Sequence, residues 1–256
     1  MNSHKPRVSI GLPVFNGENY LEETLKSILS QTYSDFELII SDNASTDNTQ
    51  KICQDYAARD QRVRYFRNEE NIGAARNFNR VFELSSGQYF KWAAHDDLIA
   101  PDYLQKCVKA LAHDSSAILS QARVKIIDKD GQVMKEHSAM SRHAYSPRPS
   151  LRFKEMLKTD LRCFEVFGLI RASLLKKTPL IASYIASDRP LRAELALLGH
   201  FHEIPESLFL SRDHPKRSAR AMPAHHQRAA WFDPAKAGKI VLPHWRIFFE
   251  YYMSIG

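Results

Sequence analysis

The first 112 residues alternate between short apolar runs and segments with helical periodicity, and this alternation constrains the fold more than any other feature. Four apolar runs occur, at residues 8–12, 36–41, 63–67 and 88–92. Four segments with apolar residues at helical spacing follow them, at 20–29, 45–58, 73–84 and from Pro101 onward. Strand and helix in alternation predict an α/β fold whose central sheet is mostly parallel, with right-handed crossovers.

The pattern loosens after residue 113, where a mixed α+β half is predicted. Strands are predicted at 118–128 and 166–171, short helices at 151–158 and 172–177, a loop at 134–150 and an apolar helix at 189–198. The stretch FHEIPESLFLSRDH, 201–214, predicts two strands that turn at Pro205. We therefore divide the chain into a catalytic domain, 1–214, with halves 1–112 and 113–214, and a basic and aromatic extension, 215–256. Whether the natural protein continues past Gly256 stays open.

Composition excludes several classes of protein. Three cysteines are too few and too scattered for a disulfide framework or a zinc site. No run approaches the roughly 20 apolar residues of a membrane-spanning helix, and the N-terminus lacks a signal-peptide core, so we expect a cytoplasmic protein. The net charge of +7 favours acidic partners such as nucleotides, phosphates or anionic lipid. No nucleic-acid motif accompanies that charge.

Carboxylates follow two of the predicted parallel strands, at the edge where such sheets bind ligands. Asp42 ends the second strand, and Asp96 and Asp97 follow the fourth. Asp42 could accept hydrogen bonds from a base or ribose, or it could serve as a turn or cap residue. Asp96 and Asp97 could bind Mg²⁺ or Mn²⁺ together with substrate phosphates, or they could form a solvated loop. The first turn, LPVFNGENY, has no glycine-rich phosphate motif, so side chains and a metal would have to hold a nucleotide.

Four landmarks in the correct order resemble glycosyltransferase family 2, of the GT-A type. They are PVFNGENYLEETLKSILSQT, SDNASTDNT, NIGAARNFNRVFELSSGQYF and HDD followed by PDYL. The resemblance is close over residues 7–112 and loose over 113–214. It implies a Rossmann-like GT-A sheet, a nucleotide-diphosphate-sugar donor, and Mn²⁺ or Mg²⁺ as cofactor.

The resemblance also implies roles for individual positions. The residues of the nucleotide pocket and of the diphosphate segment would be Pro13, Phe15, Asn16, Asp42, Gly73 and Arg76. In the family's acidic motif the last aspartate holds the metal; that position is Asp96, with Asp97 as the next candidate. The first acidic position of the motif is Ala94, so this chain departs from the pattern there, and Asp97 or His95 would have to compensate.

Two later positions complete the implied site. Asp188, in IASDRPLRAELALLG, lies where the family places the catalytic base, with Glu194 as the fallback. The alternative is that Asp188 only caps the following helix. His214, after the last strand, would bind the metal or touch the diphosphate. Beside it, the basic residues Arg212, Lys216, Arg217 and Arg220 could close over the diphosphate, rest on anionic lipid or form a solvated face.

The combined expectation is a metal-dependent, inverting glycosyltransferase that moves a sugar from a nucleotide-diphosphate sugar to a hydroxyl of a glycan or lipid-linked acceptor. Two alternatives stay open. One is a sugar-phosphate nucleotidyltransferase, and the other is a non-catalytic nucleotide- or sugar-binding module. The aromatic stretch 240–253 either packs on the domain or lies at a membrane surface, so peripheral membrane contact stays open, as does oligomerisation.

Overall fold

A computed structural model describes residues 5–137, 142–158, 163–239 and 242–254. The strands are β1 (Val8–Val14), β2 (Phe36–Asp42), β3 (Val63–Arg67), β4 (Tyr89–Trp92), β5 (Leu98–Ile99), β6 (Ala117–Ile127), β7 (Val133–His137), β8 (Leu169–Arg171) and β9 (His200–Arg212). The helices are α1 (Leu21–Leu29), α2 (Thr49–Arg59), α3 (Ala74–Glu83), α4 (Tyr103–His113), α5 (Pro149–Lys158), α6 (Ala172–Leu175), α7 (Asp188–Leu198), α8 (Ser218–Ala221), α9 (His225–Phe232) and α10 (Pro243–Met253). Short 3₁₀ turns lie at Arg142–Tyr145, Phe164–Phe167 and Pro234–Lys236.

Within these ranges the strands form one mixed sheet in the order β3-β2-β1-β4-β8-β6-β9-β5, with β7 paired to β6. The first four strands are mutually parallel, as the alternation predicted. β8 is antiparallel to both β4 and β6, whereas β6 and β9 run parallel. The predicted α/β fold with a mostly parallel first half and a mixed second half is confirmed.

The core lies on both faces of the sheet because successive strand residues point to opposite sides. Val8, Ile10 and Leu12 of β1 pack on the face that α1 and α4 cover. Ile39 of β2 and Trp92 of β4 pack on the opposite face, against residues of α3, α5 and α7. The parallel strands β1 and β2 are buried along their whole length, as expected for strands covered by helices on both sides.

The structure corrects the predicted pair of strands at 201–214. β9 is a single strand, and its register against β6 jumps from Ala122↔Ile204 to Arg123↔Ser207. Pro205 has no N–H to donate, so the strand forms a bulge at that point instead of reversing. The helix predicted to start at Pro101 begins at Tyr103, after a turn that contains Pro101.

The loop predicted at 134–150 is also wrong in part. It contains most of β7, the turn Arg142–Tyr145 and the start of α5, while residues 138–141 lie outside the described residues. β7 carries no apolar alternation because almost all its side chains are exposed; pairing with β6 defines it. Such non-local pairing leaves no local signal in the sequence.

The segment after His214 returns across the molecule. The chain passes α8 and α9 and brings Phe232 and Pro234 against Gly73 at the start of α3. α10 then packs one of its faces against the domain, with Ile247 only 6% exposed and the Tyr251 ring edge-on to Phe153 at 6.2 Å between centroids. Of the predicted aromatic stretch 240–253, residues 240 and 241 lie outside the described residues.

Candidate active site

Asp96 and His214 meet beyond the end of β4, although 118 residues separate them along the chain. The Asp96 Oδ2 and His214 Nε2 atoms are 2.9 Å apart, and the two residues are 8% and 4% exposed. Burial by itself would raise the pKa of Asp96, but the hydrogen bond to His214 and the charges of His95 and Arg217 outweigh it, and the pKa is lowered. Asp96 is therefore held as a carboxylate.

The neighbouring carboxylate, Asp97, is turned toward β9. Its Oδ1 atom accepts a hydrogen bond from the backbone N–H of Arg212 at 2.8 Å. Burial, and then the adjacent negative charge of Asp96, raise the pKa of Asp97 to about 7. Near pH 7 Asp97 is therefore about half protonated, and the pair carries less negative charge than two free aspartates would.

Arg212 holds in place the turn that carries Asp96 and Asp97, called here the acidic turn. Its guanidinium, 1% exposed, donates from Nε to the Asp96 carbonyl at 3.1 Å and from Nη2 to Glu23 of α1 at 2.6 Å. It also lies over the Tyr20 ring, 4.5 Å from the centroid, and that ring meets His214 edge-on at 4.7 Å. The sequence grouped Arg212 with an exposed basic run; the structure buries it as the link between β9, α1 and the acidic turn.

Residues of helix α1, and the segment just before it, also contact the acidic turn. The Thr24 hydroxyl is within hydrogen-bond reach of the carbonyls of His95, at 2.8 Å, and Asp97, at 3.0 Å. Gly17, just before α1, has no room for a side chain, because a Cβ there would lie 2.6 Å from Val14 and 2.9 Å from the His95 ring. The turn therefore has a fixed position against α1 in the described structure.

The residues present fit a divalent cation held by two ligands. Two atoms bound at right angles to one ion, with bonds of about 2.1 Å, are about 3.0 Å apart, close to the 2.9 Å between Asp96 Oδ2 and His214 Nε2. Among the described residues there is no cluster of three or more His, Cys, Asp or Glu side chains suited to a metal, and Asp97 is not gathered as a third ligand. A cation here would need substrate oxygens or water to complete its shell, as Mg²⁺ commonly does.

Asp42 lies at the end of β2, completely buried. Its Oδ1 atom accepts from the Ser45 N–H at 2.9 Å, and Oδ2 accepts from the Tyr65 hydroxyl at 2.9 Å and from Arg67 Nη1 at 2.6 Å. The Arg67 side chain keeps 33% of its surface exposed. The group that this cluster presents to a ligand is therefore the guanidinium of Arg67, with Asp42 behind it.

The predicted pocket residues of the first turn lie beside this cluster. Pro13 is buried within β1 opposite Ser41, whereas Phe15 is 38% exposed. Asn16 has φ of +51°, and its Oδ1 atom accepts from the Thr46 N–H at 2.8 Å. The turn after β1 is thereby tied to the turn after β2, and Phe15 is left available to stack on a planar group.

The predicted diphosphate segment lies at the N-terminus of α3. Gly73 is the residue before the helix, with φ of +85° and ψ of 157°, and its N–H donates to Asn71 Oδ1 at 2.9 Å. Arg76 follows in the first helical turn, is exposed, and makes no ion pair among the described residues. A helix N-terminus with an unpaired guanidinium is suited to bind phosphate oxygens.

Asp188 is the first residue of α7, and the residue before the helix is Ser187, with no side-chain capping bond. The choice between a catalytic base and a helix cap at Asp188 therefore stays a prediction. Burial raises the pKa of Asp188, and the Cys163 hydrogen bond and the charge of Arg192 offset part of that rise. The fallback base, Glu194, instead accepts from the Ser254 hydroxyl at 3.1 Å, against α10.

The structure thus forms three groups from the predicted residues. Asp96 and His214 are in contact, Asp97 is adjacent but faces β9, and Arg217 is near enough for its charge to lower the pKa of Asp96. Asp42 and Asn16 share a second group, and Asp188 lies with Cys163 in a third. Arg67, Arg212 and Thr24 were not predicted in these roles. A basic residue at a strand end was the one available signal for the two arginines, and Thr24 had none.

Structural comparison supports the same fold. S. aureus TarS 1–349, solved in complex with UDP-GlcNAc, superposes with a TM-score of 0.67 and 18% identity over 97% of this chain and 66% of that chain. The mannosyltransferase PcManGT from Pyrobaculum calidifontis, solved with GDP-Man and Mn²⁺, gives 0.59 and 18% identity over 99% and 82%. At such identities the likeness establishes a shared GT-A fold.

Sequence comparison establishes the family. A putative teichuronic acid biosynthesis glycosyltransferase of Bacillus subtilis, TuaG, is 32% identical over 167 residues, 65% of this chain and 63% of that protein. An uncharacterized glycosyltransferase of Rickettsia typhi is 33% identical over 162 residues, which make up 62% of this chain and 46% of the relative. The matched region is thus less than two thirds of the length of either relative. The model of glycosyl transferase family 2 matches residues 9–178, and the chain belongs to that family.

Proposed function

We propose that this glycosyltransferase is metal-dependent and inverting, and that it moves a sugar from a nucleotide-diphosphate sugar to a hydroxyl of a glycan or lipid-linked acceptor. The observation that carries the proposal is the contact between Asp96 and His214 beyond β4, beside the cationic Arg217. The UDP, UDP-GlcNAc and GDP-Man complexes of its structural neighbours support a donor of this class. The name of TuaG supports a role in polysaccharide synthesis.

Asp188 is the proposed general base. The acceptor oxygen attacks the anomeric carbon as the bond from that carbon to the diphosphate oxygen breaks, and the acceptor proton moves to the Asp188 carboxylate. A raised pKa makes this carboxylate a stronger base than an exposed aspartate. Burial is the largest cause of that raised pKa, and no salt bridge to Asp188 occurs among the described residues.

Asp96 and His214 are the residues that would hold Mn²⁺ or Mg²⁺. When bound, the cation would neutralise negative charge on the diphosphate leaving group. Asp97 we assign to the support of the acidic turn, since its carboxylate accepts the Arg212 N–H. The lowered pKa of Asp96 keeps that ligand deprotonated at neutral pH.

The remaining predicted residues would bind the nucleotide. We assign the diphosphate to the N-terminus of α3 and to Arg76, which is exposed. We assign the base to Phe15 and Arg67, with Asp42 orienting Arg67 through the 2.6 Å contact. Asn16 and Pro13 would shape the turn around the nucleoside.

Location and domain organisation are part of the same proposal. None of the helices in the described ranges has both the length and the apolar character required to cross a bilayer. We propose a cytoplasmic enzyme in which residues 1–112 bind the donor, 113–214 face the acceptor and 215–256 form an extension. An acceptor carried on lipid would require the protein to work beside a membrane.

The test compares two carboxylates on α7, Asp188 at its start and Glu194 in its second turn. Asp188→Asn should lower nucleoside diphosphate release from the preferred donor by about 10²-fold or more, while donor affinity stays unchanged. Glu194→Gln, the matched control, should keep its activity because that side chain is engaged with Ser254. Full activity in Asp188→Asn would refute the assignment of the base.

Ala94 lies at the first acidic position of the motif, where the family has an aspartate, and this departure is compatible with two other functions. A non-catalytic nucleotide-binding module would bind UDP or GDP and release nothing from any donor. Pyrophosphate formed from a nucleoside triphosphate and a sugar phosphate would instead identify a nucleotidyltransferase. Measuring nucleotide binding, nucleoside diphosphate release and pyrophosphate release therefore separates the three functions.

A further inference from the structure

The outward face of α10 is a continuous aromatic surface. Five apolar side chains on it are more than half exposed: Trp245 (74%), Phe248 (69%), Phe249 (53%), Tyr252 (72%) and Met253 (57%). At about 100° per residue they fall within one arc of roughly 140°. Leu242, just before the helix, is 64% exposed as well.

The inward face of the same helix already supplies its packing. Ile247 is buried, Tyr251 meets Phe153 edge-on, and the Ser254 hydroxyl contacts Glu194 Oε1 at 3.1 Å. The outward aromatic side chains therefore add nothing to the core of the described structure. Single exposed apolar residues are ordinary, but a contiguous group of this size on one helix marks a binding surface.

Several positively charged residues lie on α10 or on segments beside it. Residues 215–256 contain seven Lys or Arg and two Asp or Glu, which accounts for five of the chain's net charges of +7. Arg246 lies about 20° beyond one end of this arc, and it pairs with Glu250 at 2.5 Å. Lys239 precedes the helix and is exposed, as are Lys154 and Lys158 of α5, whose Phe153 packs on α10.

We propose that α10 lies in the interface of an anionic lipid bilayer, parallel to the surface, with its aromatic arc among the acyl chains and headgroups. Trp and Tyr are suited to that depth because one end of each ring is apolar and the other polar. A single projecting helix offers a ridge, which a fluid bilayer accepts without a preformed groove. The apolar arc would bury its side chains in the bilayer, and the flanking cations would attract anionic headgroups. Stable attachment commonly requires both interactions.

This inference does not depend on the transfer reaction. Attachment through α10 concerns residues outside the acidic turn and outside the start of α7, so it can fail while the proposed activity holds. If both hold, the enzyme would work at a surface where lipid-linked acceptors are concentrated.

The experiment is flotation of the full chain with vesicles. One set contains phosphatidylcholine alone, and in the other phosphatidylglycerol makes up about a third of the lipid. The chain should float with the anionic set, and its partition coefficient should fall by at least about tenfold at about 1 M salt, where charges are screened beyond about 3 Å. The emission of Trp245 should shift to the blue on binding, and Trp245→Phe should remove most of that shift.

One triple and one double variant distinguish binding through this surface from non-specific hydrophobic adsorption. Trp245→Ser with Phe248→Ser and Tyr252→Ser should abolish flotation, while circular dichroism and donor binding stay unchanged because these side chains are exposed. The matched control, Val133→Ser with Met134→Ser, removes exposed apolar side chains of β7, 55% and 60% exposed, and should float as before. Flotation retained by the triple variant would overturn the proposal, as would a wild-type chain that ignores anionic vesicles. A wild type that is a stable dimer, with only the triple variant monomeric, would also overturn the proposal, because the surface would then bind a second copy of the chain.

Discussion

At the scale of single residues, Lys91 is a buried cation on the inner side of the acidic turn. It is 1% exposed in β4, donates to the Phe167 carbonyl, and lies 4.9 Å and 5.1 Å from the ring centroids of Tyr103 and Phe209. Burial lowers the pKa of Lys91 from 10.5 to about 8, although the charges of Cys107 and Asp97 act in the opposite direction. The rings of Tyr103 and Phe209 offset only part of the hydration that the Lys91 ammonium loses.

Comparing wild type with Lys91→Met over a range of pH should show how much the burial of the charged lysine destabilises the folded state. Below pH 8 the lysine is charged in both states; between pH 8 and 10.5 only the unfolded chain carries the proton, so the stability of the wild type rises with pH across that window. We expect the stability of the wild type relative to Lys91→Met to rise by about 3 kcal/mol between pH 7 and 10.5. Urea denaturation of both proteins measures it.

The exposed Lys109 provides the control, since Lys109→Met should show no comparable change. Parallel stability profiles for wild type and Lys91→Met would contradict the burial of a lysine whose pKa is depressed.

Residue identities at the site were partly readable from the sequence. Asp96 and His214 were predicted because the motif order resembled the family, and the structure brings them into contact. Arg212 was misjudged, because it looks the same in the stretch SRDHPKR as the exposed Lys216 and the partly exposed Arg217. What distinguishes Arg212 is contact with Glu23, 189 residues away, and no local pattern encodes that.

At the scale of secondary-structure elements, the joint between β9 and α1 depends on the planar guanidinium of Arg212. Arg212→Lys keeps the charge but cannot reach Asp96, Lys129 and Glu23 together. We expect Mn²⁺-dependent UDP or GDP affinity to fall by at least about tenfold, since hydrogen bonds to charged groups contribute about 1.5–3 kcal/mol each. Isothermal titration calorimetry measures the change.

Arg123→Lys is the matched control, because Arg123 of β6 is an exposed arginine that pairs with Glu203 of β9. Equal affinities in the two variants would show that Arg212 does not support the acidic turn.

The start of α3 depends on Gly73 for two separable reasons. Its φ of +85° with ψ of 157° is a conformation that essentially only glycine adopts, and a Cβ would lie 2.7 Å from the Phe232 carbonyl. Gly238 shares a positive φ, +71°, but has nothing within 4 Å. Gly73→Ala should therefore cost about 2–4 kcal/mol of unfolding free energy and Gly238→Ala about 1 kcal/mol.

Thermal or urea unfolding of the two alanine variants gives that comparison. Similar losses in both would mean that the segment around Phe232 does not press on the start of α3.

Elements were predictable where their signal was local. The alternation of β1 to β4 with α1 to α3 follows from apolar periodicity, which is why the first half was predicted with few errors. β7 and β9 were missed or split because their partners, β6 and β5, define them more than their own side chains do. The bulge at Pro205 is a property of the pairing with β6.

At the scale of the whole molecule, the sheet brings three separate stretches of sequence to one end. β4 delivers the acidic turn, β9 delivers Arg212 and His214, and the chain after His214 reaches back to α3 through Phe232 and Pro234. The antiparallel pairing of β5 with β9, Leu98↔Leu210, brings Asp97 next to Arg212, and strand pairing of this kind has no local signature in the sequence. Such an arrangement suits a site built from side chains in place of a glycine-rich loop.

Anomalous diffraction from crystals soaked with Mn²⁺ and UDP or GDP tests the assignment of the cation site directly. We expect a manganese peak about 2.1 Å from both Asp96 Oδ2 and His214 Nε2, with the diphosphate on its far side, and no peak in Asp96→Asn crystals treated in the same way. A bound nucleotide with no manganese at these two atoms, or manganese held elsewhere, would contradict the assignment.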